Sequence, residues 1–476
     1  RYQGVNGIGP FGYVIGGGFL MAGVARADLL QEIPDNFTLP WIVPEFLVRG
    51  AYQPPHSHTG APDLRPAPSA AEFLAAWNAV AIDFFAAGND LWEMDHAFYA
   101  GEKVSKSVAV MNDSSLPVSG RLEISLRDES GNRKIVCALP VKTDPFSNVR
   151  VPFSFEMPGT AVRTDWILSA ELIPDGKKTK RIVRSMKLQA FPKTVVPLLQ
   201  RKLLVFDPEG LAVKQLDAWK LSYTRLTDLQ NIPDGALLLI GRSGLSRAGN
   251  IPEWNDLTAR NVRILLLEQE QDASLELMKT RERFAFINVG NHPVLTGFRD
   301  GDFAVWRGSH SLQKAYQGKS VGQSWSDWGN RNMVAGVVFR RPTQGNYRAL
   351  LVSGFDLYQT PLLECVGSKG SWIGCQLEVS ERFGTDPVAT TLLARMLSYL
   401  DCRLESPEES AAAFFGGARG ENLLKTLGAG YRKLSSLTES DLAGVQTLLI
   451  AQPKFNELEK YRFELNRFVY EGGRLI

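Results

Sequence analysis

Only four cysteines occur in the 476 residues: Cys137, Cys365, Cys375 and Cys402. They are too few and too scattered for a disulfide framework or a zinc site. A single bridge is open to Cys365 and Cys375 if they face each other across a hairpin. Long hydrophobic runs are missing as well. Gly16 to Val24 is apolar but falls short of the roughly 18 residues that a membrane-spanning helix needs. Charge of one sign is not in excess, with 53 basic against 51 acidic residues and a formal net charge of +2. Without a basic block, nucleic acid is not indicated as a partner. Lys177-Lys-Thr-Lys-Arg181 fits a solvated hairpin tip. Histidine is scarce. His56-Ser-His58 sits in a proline-rich loop with no Cys, Asp or Glu nearby to complete a metal set, and His96, His292 and His310 are isolated. Neither a metal nor a cofactor is expected. Gly7-Ile-Gly9-Pro-Phe-Gly12 matches the dinucleotide pattern literally. It lacks the preceding strand and the succeeding helix that would aim amides at a pyrophosphate, since Pro10 and Gly16–Gly18 are poor helix residues.

What is present is a unit that begins twice. Residues 206–242 align with 415–452, placing Tyr223, Leu226 and Leu229 on Tyr431, Leu434 and Leu437. The apolar run ending at Ile240 falls on the run ending at Ile450. The first copy continues through Val262–Leu267 and beyond, whereas the second reaches Glu471-Gly-Gly-Arg-Leu-Ile476 where a strand should start. The first residues, from Arg1, also run straight into buried-looking sequence without a start methionine. The expectation is a fragment of a longer protein.

An apolar content of 44% is ordinary for a globular chain, and the length suggests about three domains. Four regions are expected: 1–95, 96–192, 198–403 and a truncated 411–476. The first is irregular, with a loop rich in proline from Pro54 to Pro68. The spacing of Phe73, Trp77, Val80, Ala81 and Phe84 predicts a helix over Ala70–Ala86, opened by a Ser69/Glu72 capping box and stopped by Gly88. Between 97 and 191, alternating segments recur between turn formers: Val104–Met111, Val118–Leu126, Lys134–Val141, Val149–Phe155, Trp166–Leu172 and Ile182–Leu188. That pattern predicts an antiparallel β-sandwich of six or seven strands. From 200 to 402, continuous apolar strands alternate with helices (Leu211–Trp219, Pro387–Leu400), which predicts a mostly parallel sheet covered on both faces. A hairpin is expected at Gly367-Ser-Lys-Gly370.

Catalytic chemistry is hard to find. Thiol catalysis of the amidotransferase kind needs a Cys on a tight strand-to-helix turn, and neither copy has one. In Asp207-Pro-Glu-Gly210 two carboxylates would repel a phosphate. Glu45 is the one carboxylate that looks placed at a strand end, but Pro40 and Pro44 weaken the strand. Trp41, Trp77 and Trp92 could stack on sugar rings, although packing explains each as well.

Three stretches carry a resemblance. Trp77-Asn78 through Asp95–Val104 and then Val110-Met-Asn-Asp113 resembles the join of barrel and sandwich in large bacterial glycoside hydrolases similar to family 2, the β-galactosidase-like group. Leu362–Leu377 with Glu381–Pro387 is similar to the amidotransferase-like accessory domains of such proteins, and Phe468–Arg474 resembles a helix end in them. The resemblance implies a multidomain α/β plus all-β chain. It would hold a remnant of a (β/α)8 barrel, an immunoglobulin-like β-sandwich and flavodoxin or class I amidotransferase-like α/β domains. It implies a retaining glycosidase acting on an oligo- or polysaccharide, whose two catalytic glutamates lie upstream of this chain. Residues 1–14 would be the eighth barrel strand, which places Phe11 and Tyr13 at the substrate mouth. A carbohydrate is the implied partner, with self-association through the α/β domains. A periplasmic or extracellular location is favoured over a cytoplasmic one. The alternative is a non-catalytic carbohydrate-binding or assembly protein.

Overall fold

In the computed structural model, residues 24–26, 64–66, 78–88, 94–176, 181–270, 276–309, 312, 331–354, 356–367, 369–402, 412–426, 429–451 and 455–476 are described. Phe11, Tyr13, Trp41, Glu45, His56, His58, Ser69, Glu72, Trp77 and Trp92 lie outside them, as does most of the expected barrel remnant. Within the first 95 residues the described elements are β1 (Val24–Arg26), paired antiparallel with β2 (Leu64–Pro66), and β3 (Val80–Ala86). Strand β3 corrects the helix expected over Ala70–Ala86 in its described part; residues 70–77 lie outside the described residues. Val80, Ile82, Phe84 and Ala86 also satisfy a period of two, so this short apolar run fits either element. Pairing decides, because β3 runs antiparallel to β5 from Val80↔Asn112 to Ala86↔Lys106 and so covers an edge that would otherwise be bare.

The alternating segments form the strands their pattern predicts. After β4 (Ala97–Tyr99) come β5 (Lys103–Asn112), β6 (Val118–Asp128), β7 (Arg133–Thr143), β8 (Ser147–Glu156), β9 (Thr164–Pro174) and β10 (Ile182–Phe191). They lie in two sheets, β3-β5-β8 and β4-β10-β9-β6-β7. The two sheets share one core that includes Val108, Val110, Leu122, Ile124, Leu168, Leu172 and Leu188. Gly120 is required where β6 meets β9, since a Cβ there would come within 2.4 Å of the Ile173 carbonyl oxygen.

A ten-stranded mixed sheet follows, built from β11 (Leu203–Phe206), β12 (Thr224–Arg225), β13 (Leu237–Ile240), β14 (Arg263–Leu266), β15 (Leu277–Glu282), β16 (Phe286–Ile287), β17 (Ala335–Arg340), β18 (Tyr347–Ser353), β19 (Gln359–Val366) and β20 (Ser371–Cys375). The five strands β12-β11-β13-β14-β20 are parallel. Their apolar runs are continuous because both faces are covered. Leu203, Val205, Leu237, Leu239 and Leu265 face a core shared with the helix Pro387–Asp401, whereas Leu204, Phe206, Leu238, Ile240 and Ile264 face a second core. The helix begins at Asp386, which accepts from the amides of Val388 (2.9 Å) and Ala389 (3.0 Å), and Pro387 supplies the pre-set first turn. Its Leu392, Leu393, Met396 and Leu397 are fully buried, each contributing about 1.5–3 kcal/mol. In the β19–β20 hairpin Cys365 opposes Trp372 and Cys375 opposes Leu362. The two thiols are therefore three positions out of register, and both are free. The bridge between them is corrected by that register.

The last sheet has the order β22-β21-β23-β24, from β21 (Ala412–Gly416), β22 (Arg432–Lys433), β23 (Thr447–Ala451) and β24 (Arg474–Leu475). All are parallel, and the order repeats β12-β11-β13-β14. The helix Ala418–Thr426 follows β21 as the helix Leu211–Ala218 follows β11. Leu229 and Leu437, equivalent in the sequence alignment, are buried in their respective cores. No helix among the described residues is long and apolar enough to cross a membrane.

Candidate functional site

In an open parallel sheet the crevice for a ligand lies at the carboxyl ends of the strands, where the strand order reverses. Here that point is between β11 and β13, because the chain goes from β11 outward to β12 and then back across to β13. The crevice is occupied by the protein's own charges. Asp207 ends β11 and accepts from the Val213 amide through Oδ2 (2.9 Å). Gly241 ends β13, where a Cβ would stand 2.2 Å from Asp207 Oδ1. Burial pushes the Asp207 carboxyl above the usual range. Glu209 pairs with Arg242 (2.6 Å) and Arg247 (3.1 Å), and Arg242 reaches Glu381 (3.0 Å). The Asp207–Gly210 loop thus pairs Glu209 with arginines of the same chain.

The next strand ends are closed in the same way. Glu268, just past β14, accepts from the Ser380 amide (2.8 Å) and hydroxyl (2.6 Å). The Gln376 side chain accepts from the Gln269 amide (2.6 Å) and donates to the Gln269 carbonyl (3.0 Å), and the Gln269 side-chain oxygen receives the Leu245 N–H (2.8 Å). Glu378 accepts from the Gly336 amide (3.0 Å). Burial raises Glu268 to about 7 and Glu378 to about 8, and the nearby Glu268 charge adds to the rise at Glu378. Paired raised carboxyls are a signature of acid–base sites. Neither of these, however, lines the cavity at the sandwich junction or the cleft of the second repeat. Thiol chemistry is not favoured at these turns, where Cys375 is wholly buried with its thiol pushed well above the ordinary value; at the opposite end of the sheet, burial raises Cys365 to about 11. Among the described residues no group of three or more His, Cys, Asp or Glu is placed to hold a metal.

His292 is not isolated as the sequence suggests. Its Nε2 lies 3.4 Å from Glu364 of β19, and Tyr399 donates to the same carboxylate at 2.5 Å. Burial works against the Glu364 charge, but the bonds from His292 and Tyr399 outweigh it and hold its pKa below the usual value. The available signal was a glutamate inside the apolar run Pro361-Leu-Leu-Glu-Cys-Val366.

The sandwich and the α/β sheet meet through ion pairs, of which Arg163–Asp302 is buried and Arg299–Glu129 exposed. Arg163 pairs with Asp302 (2.7 Å) and Asp165 (2.6 Å), and Arg299 bridges Glu129 (2.8 Å) and Asp165. Arg307 reaches Glu102 (3.0 Å) and the Phe98 ring face at 4.9 Å. Val305, two residues before Arg307, has φ 45°, a strained conformation for a β-branched residue. A cavity of about 420 Å³ opens at this junction. It is lined by Tyr99, Glu102, Lys193, Thr194, Gln215, Trp219 and Thr390 among others. Sequence reasoning passed over this set, because its members come from four separate segments. A second cleft of about 710 Å³, in the second repeat, is lined by Gly416, Gly417, Lys433, Ser435 and Tyr461 among others.

No family model matches the chain, and no curated protein matches it. Among solved structures, the sporulation control protein Spo0M from Bacillus subtilis is 16% identical over 24% of this chain and 50% of its own, with a TM-score of 0.18. A β-glucosidase from Listeria innocua in complex with glucose is 8% identical over 24% of this chain and 16% of its own, also at 0.18. A β-glucosidase from Erythrobacter marinus is 11% identical over 23% and 15%, again at 0.18. The chain thus spans half or less of each of these proteins, and likenesses of this size carry no argument about function.

Proposed function

We propose that this chain is a non-catalytic accessory part of a glycoside hydrolase. The closed strand ends carry this reading. The crevice where an α/β sheet of this kind would bind and react is filled by Asp207, Glu209, Arg242 and Glu381, and Cys375, at the same end of the sheet, is a wholly buried thiol. The fixed seating of sandwich on α/β sheet through Arg163, Asp302 and Arg307 suits a supporting element. The glycoside hydrolase assignment rests on the resemblance around Trp77–Asp113, Leu362–Pro387 and Phe468–Arg474. On it, the sandwich is immunoglobulin-like, the two repeats are amidotransferase-like, the residues before β3 hold a barrel remnant with Phe11 and Tyr13 at its mouth, and the catalytic glutamates lie upstream. The test is hydrolysis of a panel of aryl glycosides by the purified chain. No turnover is expected. Turnover that Glu45→Gln abolishes would place a catalytic carboxylate in this chain and overturn the proposal.

A further inference from the structure

The junction cavity has the chemistry of a binding site, and Gln215 is one of its lining groups. That side chain lies near the end of the helix Leu211–Ala218, is 7% exposed, lines the cavity, and makes no hydrogen bond among the described residues. Its polar atoms are not among those sealed off without a partner; they face the cavity, where a ligand's hydroxyls can take the place of solvent. Its position is built in. Gly384, at φ 78°, lies against it, and a Cβ there would come 2.9 Å from Gln215 Oε1. Gly101, at φ 79°, is also part of the lining.

The surrounding groups narrow the ligand. Trp219 and Tyr99 are half-buried rings on the lining. Aromatic faces and edges of this kind pack against apolar C–H surfaces while staying beside polar groups. The Thr194 hydroxyl stands 3.4 Å from the Tyr99 hydroxyl and 3.1 Å from that of Thr391. Thr390 donates to the Asp386 carbonyl (2.7 Å) and accepts from the Gly384 amide (2.9 Å). Lys193 and Glu102 on the lining, together with Arg307 and its second partner Asp95 behind Glu102, sum to no net charge. The balance disfavours a strongly anionic or cationic guest. An amide offers donors and an acceptor side by side, the pattern that two adjacent hydroxyls require. The volume of about 420 Å³ lies toward the small end of small-molecule sites.

We infer that this cavity binds a neutral saccharide of one or two rings, with Gln215 bonding a hydroxyl pair and Trp219 packing against the sugar's C–H face. The choice of ligand class rests on the glycoside hydrolase reading; the site itself rests on the unpartnered amide and the ring pair. Rigid elements hold the walls, because Arg307 ties Glu102 to the α/β body and Asp386 caps the helix carrying Thr390.

The test is titration of the full chain with glucose, galactose, mannose, xylose, cellobiose and maltose, followed by tryptophan fluorescence and calorimetry. Saturable binding of at least one sugar is expected. Trp219→Ala and Gln215→Leu should each weaken it at least tenfold, with melting temperatures within a few degrees of the parent. Gln215→Leu keeps much of the buried volume and guards against a folding artefact. No saturable binding by any of the six sugars overturns the site, and so does binding that survives both substitutions. Aryl glycoside hydrolysis reads the accessory role separately, so loss of the site and loss of that role are distinguishable.

Discussion

Arg163→Met should uncouple the sandwich from the α/β sheet. The Arg163 side chain is 8% exposed and that of Asp302 is 0%. Three hydrogen bonds join them, at 3.1, 3.1 and 2.7 Å. Removing one member of such a pair leaves a buried charge without compensation, at a cost of about 3–5 kcal/mol. Methionine keeps much of the stem that packs near Phe191, so the loss is mostly electrostatic. The remaining Asp302 can escape by protonation. Its carboxyl already sits above the usual range, because burial opposes its charge more than Arg163 favours it. With Arg163 gone it must rise further. A raised folded pKa means that the fold prefers the neutral form, so the penalty is absent below the unfolded carboxylate value and grows as pH rises toward the folded one. The deficit should therefore be large at pH 7 and smaller near pH 4.5. Arg163→Met combined with Asp302→Asn removes both charges yet keeps an acceptor for the Arg299 amide, which now bonds Asp302 Oδ2 at 2.8 Å. That double variant should recover to within about 1 kcal/mol of the parent. Urea unfolding followed in parallel by circular dichroism and tryptophan fluorescence measures both, and coincident curves check two-state behaviour. A deficit below about 1 kcal/mol at pH 7, or one indifferent to pH, would refute the claim that this pair locks the junction.

Burial leads to two more expected outcomes. Glu268 and Glu378, raised to about 7 and about 8, hold more protons folded than unfolded above the ordinary glutamate value. Stability should then fall as pH rises from about 5 to 8, and Glu378→Gln should flatten that slope; an unchanged slope in thermal melts across this range contradicts the assignment. In native protein, iodoacetamide should label the exposed Cys402 and leave Cys365 and Cys375 protected until urea is added, as mass spectrometry of tryptic peptides can read.

Much of the fold was legible because its periods are unambiguous. The segments between 104 and 188 alternate cleanly and became β5 to β10, each within a few residues. Ala236–Ile240 and Val262–Leu267 are continuous apolar runs and became the central strands β13 and β14. The run Val80–Ala86 was not legible, because helical and extended spacings both fit it and only its partner β5 distinguishes them. The site was less accessible for a different reason. Gln215, Trp219, Tyr99 and Thr390 come from segments far apart in sequence, and none belongs to a motif. Neither a lone buried amide nor a half-buried tryptophan announces a cavity until the sandwich is seated on the sheet.

The repeated unit shows what the fold itself demands and what it leaves free. Strand order and parallel pairing are the same in both copies, and so is the need for a glycine where the two central strands end side by side. In the first copy Gly241 gives room to Asp207; in the second the glycine is on the other strand, since a Cβ on Gly416 would meet the Ala451 carbonyl oxygen at 2.0 Å. The carboxylates are not shared. Asp207 and Glu209 correspond to Gly416 and Ala418, so the second copy has no counterpart to the ion pairs with Arg242 and Arg247. A cleft of about 710 Å³ lies there instead, lined by Gly416, Gly417 and Lys433 among others. Sheet geometry therefore explains the strands and the glycine, whereas the charges that close the first crevice are an addition to the scaffold. Their removal should leave the sheet intact. Glu209→Ala should leave the β11–β13 pairing unchanged in amide exchange while exposing Arg242, and loss of protection at Leu238 and Ile240 would show that the ion pairs hold the sheet as well as fill the crevice.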